Sequence, residues 1–260
     1  MTGRAPVLPP AYRLVALDRV GSTNDEARRL AGEGAEDGTL VWALEQSAGR
    51  GRQGRSWASP PGNLYCSLVL RPDVPLARAA ELSFVAALGV GGAIGALVPP
   101  QVEMRYKWPN DVLLNDRKVA GILLESSARP DQAVDFVVLG VGVNVLSQPA
   151  AARFPATSLK AEGAGPDVDA AAVLESFSRH FLAWVDRWLD EGFEPVRAAW
   201  EARAWRLGER LEFAAGEGGG DAALAGRFEG LAPDGSLLLA MDDGTSRRFA
   251  AGDVGAARAG

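Results

Sequence analysis

The sequence predicts an α+β protein. Strands and helices share a larger part, about residues 1–206, and a small all-β barrel follows, about residues 207–260. Three observations carry this. Apolar β-type runs are interspersed with helix-periodic stretches as far as Leu207. Beyond Leu207 the pattern changes to short β runs separated by GEGGGD, PDG and DDG, turn signals at the regular spacing of an all-β unit. The chain has 260 residues, 47% hydrophobic and 23% charged, enough for one large domain and one small one with a substantial core.

Taken in order, YRLVALDRV (Tyr12–Val20) reads as a first strand. GSTNDEARRLA opens a short helix, with Thr23 and Glu26 at capping-box spacing. TLVWALEQ is a second strand and NLYCSLVLR a third, with a glycine–arginine segment between them. Pro75 to Leu97 is alanine-rich with apolar residues at helical spacing, which predicts one long, largely buried helix. MRYKWPNDVLLNDRKVAGILLES yields two short β runs around an Asn115–Asp116 hairpin turn, and FVVLGVGVNV another apolar strand. Asp169 to Trp188 is an amphipathic helix. In the barrel region, RLEFAA, LAGRFEGLAPDGSLLLAM and TSRRFAAGDV supply the strands, with GEGGGDAA as a hairpin loop.

Composition excludes several functions. One cysteine and one histidine permit neither an internal disulfide nor a Cys/His zinc site. Cys66 reads as a buried strand residue, and His180 as a packing or surface residue of its helix. The N-terminus lacks an apolar signal core and no run reaches about 18 apolar residues, so no membrane span and a cytoplasmic location are expected. With a net charge of −6, any basic patch must be local.

One such patch exists. Gly49–Arg55 reads GRGRQGR, and Trp57 follows closely. Gly49, Gly51 and Gly54 satisfy the dinucleotide-binding spacing, but SWASPPGN follows where that motif needs a helix, so the dinucleotide reading fails. No G-x-x-x-x-G-K-[ST] run occurs either. A solvated turn is the simplest reading of the segment. Against it, three guanidinium groups so close repel one another, and an anionic ligand would relieve that; glycines admit it closely and arginine forks suit phosphate or carboxylate. KWPND places Lys107, Asn110 and Asp111 at a strand end, and RKVAGI places Lys118 seven residues beyond Asp111, across the hairpin. GVGVN ends a strand at Asn144. Together they describe one pocket rich in cations, amides and polar side chains.

From about Tyr12 to Val254 the order GSTN, EQSAGRGRQGR with SW, KWPND, RKVAGILLE and GVGVN, then a small β domain, closely resembles the biotin–protein ligases. The resemblance implies a mixed sheet backed by helices, of the class II synthetase-like biotin/lipoate ligase fold, and an SH3-like C-terminal barrel. It also implies biotin and ATP as substrates, Mg²⁺ with no ligands assigned, biotinyl-5′-AMP as intermediate, and transfer to a lysine of a biotin carboxyl carrier protein. By motif, Ser22, Thr23, Asn24 and Gln46 would form a polar wall around the biotin head group. Arg50, Gly51 and Arg52 would close over the adenylate, with Gly121 beside the biotin. Trp57 would be the adenine platform, with Arg55, Lys107, Asn110 and Asn144 toward the nucleotide. Lys118 would contact the biotin carboxylate and α-phosphate, and Asp111 would take the proton of the incoming lysine; Arg52, Lys118 and Asp111 form the catalytic set.

About eleven residues precede the first strand, where some family members carry a DNA-binding domain, so specific DNA binding is not expected; a homodimer is allowed. LSQPAAARFPATSLKAEG after Asn144 would suit either a nucleotide cover or a surface loop. Two rivals stand beside the ligase: a lipoate–protein ligase of the same fold, whose long apolar substrate needs no such polar wall, and a non-catalytic biotin or nucleotide sensor.

Overall fold

The computed structural model describes residues 5–150, 154–214 and 224–256. Seven strands form a mixed sheet: β1 (Arg13–Val20), β2 (Thr39–Gln46), β3 (Leu64–Leu70), β4 (Met104–Lys107), β5 (Asp111–Leu114), β6 (Arg117–Ala128) and β7 (Val134–Val143), in the order β1-β2-β3-β7-β6-β5-β4. Only β1 and β2 run parallel; their connection is helix α1 (Thr23–Gly32), and the remaining pairs are antiparallel.

The two faces of this sheet are covered differently. On one, Ala27 and Ala31 of α1 pack on Val41, Val69 and Val138. That small cluster covers only part of the face. On the other lie α2 (Glu81–Gly95) and α3 (Ala170–Glu191), whose Val85, Leu88, Phe177 and Phe181 join Leu40, Leu64, Leu68 and Leu139 in the main core. The asymmetry follows from composition. α2 is apolar nearly all round and must be enclosed, whereas α1 offers only a narrow stripe of Ala27, Leu30 and Ala31. The region of sheet beyond the N-terminus of α1 stays uncovered by helices, and the candidate site lies there.

A second, antiparallel sheet contains β8 (Arg210–Ala214), β9 (Leu224–Leu231), β10 (Leu237–Ala240), β11 (Ser246–Phe249) and β12 (Asp253–Ala256), ordered β11-β10-β9-β8-β12. It shares the apolar core of the first sheet. Trp108 packs against Phe213 and donates its indole N–H to Gly235 O at 3.1 Å. Phe84 of α2 meets Phe193 and Trp200 edge-on.

Several expectations need correction. The N-cap of α1 is Ser22, one residue before Thr23; its hydroxyl faces the Asp25 N–H at 3.5 Å. Thr23 is already the first residue of the helix, and its hydroxyl turns sideways to Gln46 and Ser67 instead of toward the helix end. The Pro75–Leu97 stretch is a 3₁₀ turn, Leu76–Arg78, followed by the separate α2. Leu76–Gly95 is long and apolar enough to cross a membrane, but most of it is buried in this core. The first β run of the KWPND region is two strands, since Trp108–Asn110 turns the chain between β4 and β5. The Asn115–Asp116 turn forms as expected, both residues having positive φ (46° and 60°). Helix α4 (Glu194–Glu201) was not anticipated, although Pro195 near its start and Phe193, Val196 and Trp200 on one face mark it. The GEGGGDAA loop lies outside the described residues.

Candidate active site

A cavity of about 530 Å³ opens on the partly uncovered face, and every residue singled out from the sequence lines it: Ser22, Thr23, Asn24, Gln46, Arg50, Gly51, Arg52, Arg55, Trp57, Lys107, Asn110, Asp111, Lys118, Gly121 and Asn144. Its floor is made of glycine. Gly121 of β6 and Gly142 of β7 are register partners, and a Cβ on either would lie 2.9 or 2.7 Å from the Trp57 ring. Only bare backbone lets the indole lie this close to the sheet. The Trp57 Nε1 is buried without a hydrogen-bond partner.

One wall is polar and uncharged. Gln46 Oε1 accepts from the Thr23 N–H at 2.8 Å and the Thr23 hydroxyl at 3.0 Å, while Gln46 Nε2 donates to Ser59 Oγ at 2.9 Å. Ser59 in turn donates to Trp57 O. Behind Thr23, the fully buried Ser67 hydroxyl lies 2.8 Å from Thr23 Oγ1 and 2.6 Å from Asn24 Oδ1. Ser67 has a single proton for these two oxygens and so ties Thr23 and Asn24 together from behind. Such a wall suits a neutral group carrying both donors and acceptors.

The glycine–arginine segment is a folded hairpin. Gly51 N–H donates to Arg55 O at 2.7 Å and Trp57 N–H to Gly49 O at 2.8 Å, around a Gln53–Gly54 turn with φ of 54° and 69°. Its three guanidinium groups are not left to repel one another, as the sequence suggested they would without an anionic ligand. Arg50 pairs with Glu125 at 2.7 Å and with Asp25; Arg55 pairs with Asp253 at 3.1 Å. Arg52 reaches Asn110 Oδ1 and Gly252 O, both at 3.3 Å, with Asp253 3.9 Å away. Burial pulls the pKa of Arg52 down against the opposing pull of Asp253 and Asp111, yet a guanidinium stays charged at any ordinary pH.

Lys118 Nζ approaches Asp111 Oδ1 to 2.6 Å. The approach is off the hydrogen-bond axis, so this is a close ion contact that leaves the buried Oδ1 without an oriented donor. The Lys118 main chain is clamped by the segment after Asn144: its N–H donates to Pro155 O, and its carbonyl accepts from Thr157 N–H. The Asn144 amide holds the same segment through Thr157 O at 2.9 Å, and Glu162 fixes it to Asn115 and Arg117. Phe154 lies over Lys107 Nζ, 3.3 Å from ring centroid to nitrogen. The described part of this stretch therefore forms a side of the cavity; its residues 151–153 lie outside the described residues.

Four contributors escaped the sequence reading: Ser59, Ser67, Glu125 and Asp253. Ser67 had a signal, being the one serine inside the apolar run LYCSLVL. Cys66 beside it is buried, and burial pushes its thiol up to about 12. His180 stays outside the site, with Nδ1 2.8 Å from Ser176 O in its own helix. Among the described residues, no three His, Cys, Asp or Glu side chains come together to hold a metal.

Fold and cavity together point to a class of ligases. Over 94% of this chain the fold is similar to the biotin protein ligase from Aquifex aeolicus in complex with biotin and ATP, with a TM-score of 0.77, 29% identity and 97% of that chain covered. The chain belongs to the biotin/lipoate A/B protein ligase family, whose model matches residues 54–202. A biotin–[acetyl-CoA-carboxylase] ligase of Paracoccus denitrificans is 44% identical over 228 residues, which are 86% of this chain and 92% of that one. The bifunctional ligase/repressor BirA of Bacillus subtilis is 36% identical over 245 residues, 92% of this chain and 72% of the other.

Proposed function

We propose that this protein activates biotin with ATP to biotinyl-5′-AMP and transfers the biotin to a lysine of a biotin carboxyl carrier protein. The observation that carries the reading is one cavity joining an uncharged donor–acceptor wall (Ser22, Thr23, Gln46) to converging cations (Arg52, Lys107, Lys118). Its volume lies within the roughly 300–1,000 Å³ of small-molecule sites. The wall matches a ureido ring, which carries both N–H donors and a carbonyl acceptor and is costly to bury unpaired. The relatives named above support the same substrates.

In the first step a biotin carboxylate oxygen attacks the α-phosphorus; the bond to the bridging oxygen breaks, and pyrophosphate leaves with the electron pair. Two anions must meet, so the protein's part is positioning and charge. Lys118 and Arg52 are the groups we assign to the crowded phosphate, and Trp57 with Asn144 to the adenine side. At about 4 Å and an effective dielectric of about 20, one such cation contributes on the order of 4 kcal/mol before desolvation. In the second step the carrier amine attacks the acyl carbon and AMP departs. The amine must shed a proton, and Asp111, beside Lys118, is our candidate to take it.

Mg²⁺ belongs to this proposal as a companion of ATP. Without a carboxylate cage among the described residues, its shell would be filled mainly by phosphate oxygens and water, as is common for this ion. We also assign residues 1–206 to catalysis and 207–260 to an accessory β domain, place the chain in the cytoplasm, and expect no sequence-specific duplex binding from a chain of net charge −6. Self-association to a homodimer is testable by sedimentation.

The deciding experiment is ATP–pyrophosphate exchange with biotin, lipoate or no acid added. Biotin-dependent exchange is expected. Exchange that follows lipoate instead, or no exchange with either, would overturn the reading.

A further inference from the structure

Asn24 has both ends of its amide committed. Oδ1 accepts from Ser67 at 2.6 Å, and Nδ2 donates to Glu125 Oε2 at 2.9 Å. Gly140 makes this seat, since a Cβ there would fall 2.0 Å from Asn24 Oδ1. Asn24 thus holds the wall in place rather than offering a free amide to the cavity. The other oxygen of Glu125 faces the hairpin: Oε1 accepts from Arg50 at 2.7 Å and from Arg28 of α1. Asp25 takes the far side of the Arg50 guanidinium. Arg50 is therefore neutralised by two carboxylates before any ligand arrives, and serves better as a latch than as a phosphate cation.

One carboxylate thus joins the two walls. Through Oε2 it reaches Asn24, Ser67 and Thr23; through Oε1 it reaches the base of the glycine–arginine hairpin. Burial opposes the charge on Glu125, but Asn24 and the two guanidinium groups outweigh it and keep the carboxylate ionised.

We propose that Glu125 is a positioning residue of the ligase reaction, holding the polar wall in its donor–acceptor setting through Oε2 and the hairpin in its observed place through Oε1. This rests on the biotin reading above, so its test includes a readout independent of that reading. The hairpin carries three tryptic sites, at Arg50, Arg52 and Arg55, and cleavage there requires local opening.

Wild type, Glu125→Gln, Glu125→Ala and Asn24→Ala would be treated briefly with trypsin without ligands, and the cut sites located by mass spectrometry. KM for biotin and kcat would be taken from pyrophosphate exchange. Glu125→Gln is nearly isosteric; it can still accept from Asn24 but turns an N–H₂ toward the guanidinium groups. It should speed hairpin cleavage about tenfold, the scale of losing a hydrogen bond to a charged group, while KM for biotin stays within about twofold. Asn24→Ala should do the reverse, raising KM for biotin about tenfold and leaving hairpin cleavage as in wild type. Glu125→Ala should show both effects, and if it fails to fold, the other two variants decide alone. Wild-type cleavage and wild-type KM in Glu125→Gln and Glu125→Ala would overturn the proposal. So would the same pattern in Glu125→Gln and Asn24→Ala, or a wild-type hairpin already cut as fast as the variants. If wild type shows no biotin-dependent exchange, the ligase reading falls, while the cleavage series still decides whether Glu125 latches the hairpin.

Discussion

Arg55 and Asp253 stand 198 residues apart in the chain, yet Arg55 Nη2 lies 3.1 Å from the Asp253 carboxylate. The second sheet thereby reaches into the site through its last strand. Asp253→Ala should cost less than about 1 kcal/mol of stability, as for other partly exposed pairs. Losing this anchor should still raise KM for ATP about fivefold, since Arg52 and Arg55 both lean on Asp253 and a misplaced charge contact is costly in a positioned site. Exchange kinetics against ATP, beside a thermal melt, separate the two effects.

Lys118→Ala should abolish adenylate formation without unfolding the chain. Removal of one transition-state charge contact lowers rates by about 10²–10³, by analogy with oxyanion-hole donors. The side chain is partly exposed and its main chain stays clamped by Pro155 and Thr157. Near-wild-type pyrophosphate exchange in this variant would remove Lys118 from the chemistry.

Arg52→Gly should still make some adenylate but hold it poorly. Arg52 ties the hairpin tip to Asn110 and Gly252, so its loss opens the site on that side. A reactive mixed anhydride would then escape and acylate lysines of bystander proteins. Incubation with biotin, ATP and an unrelated lysine-rich protein, probed for attached biotin, checks this; labelling no greater than that by wild type would count against a retaining role.

The latch at Glu125 has a definite pH signature. Its folded pKa lies below the ordinary 4.5, set against burial by Asn24, Arg28 and Arg50. A depressed carboxylate stabilises the fold above its unfolded pKa and loses that contribution as pH falls through the folded value. The melting temperatures of wild type and Glu125→Gln should therefore differ by a constant amount from pH 8 to about 5 and converge below about 4.5. Asp25 also faces Arg50 and is present in both proteins, so the difference between them isolates Glu125.

Gly140→Ala tests the seat of Asn24. The added methyl would lie 2.0 Å from Asn24 Oδ1, and Asn24 is pinned by Ser67 and Glu125. Overpacking of this kind costs about 1–3 kcal/mol, readable in urea unfolding, and biotin should lose affinity in parallel. An alanine tolerated in both measurements would show that the wall yields easily.

Much of this was legible from local pattern. Thr39–Gln46 announced itself as an unbroken apolar run with a polar end, and Asn115–Asp116 as a turn whose residues tolerate positive φ. The site residues gather in one cavity because each motif sits where a strand or helix starts or stops, and those ends meet on the same face of the sheet. What stayed hidden were the partners. Asn24 meets Glu125 across 101 positions, and the hairpin arginines find carboxylates on α1, β6 and β12. No periodicity encodes such pairings; only the folded topology does. The cap of α1 falls one residue earlier than its spacing suggests, at Ser22, while the Thr23 hydroxyl turns to Gln46 and Ser67.

The hairpin is fastened at its base to Glu125 of the first sheet and near its tip to Asp253 of the second. Its closed position therefore depends on the seam where Trp108 meets Phe213 and Gly235. Loosening that seam would shorten the dwell time of whatever lies beneath the hairpin, even where the midpoint of thermal unfolding scarcely moves. In this chain the place of one short hairpin is thus set by both sheets at once, and by the packing between them.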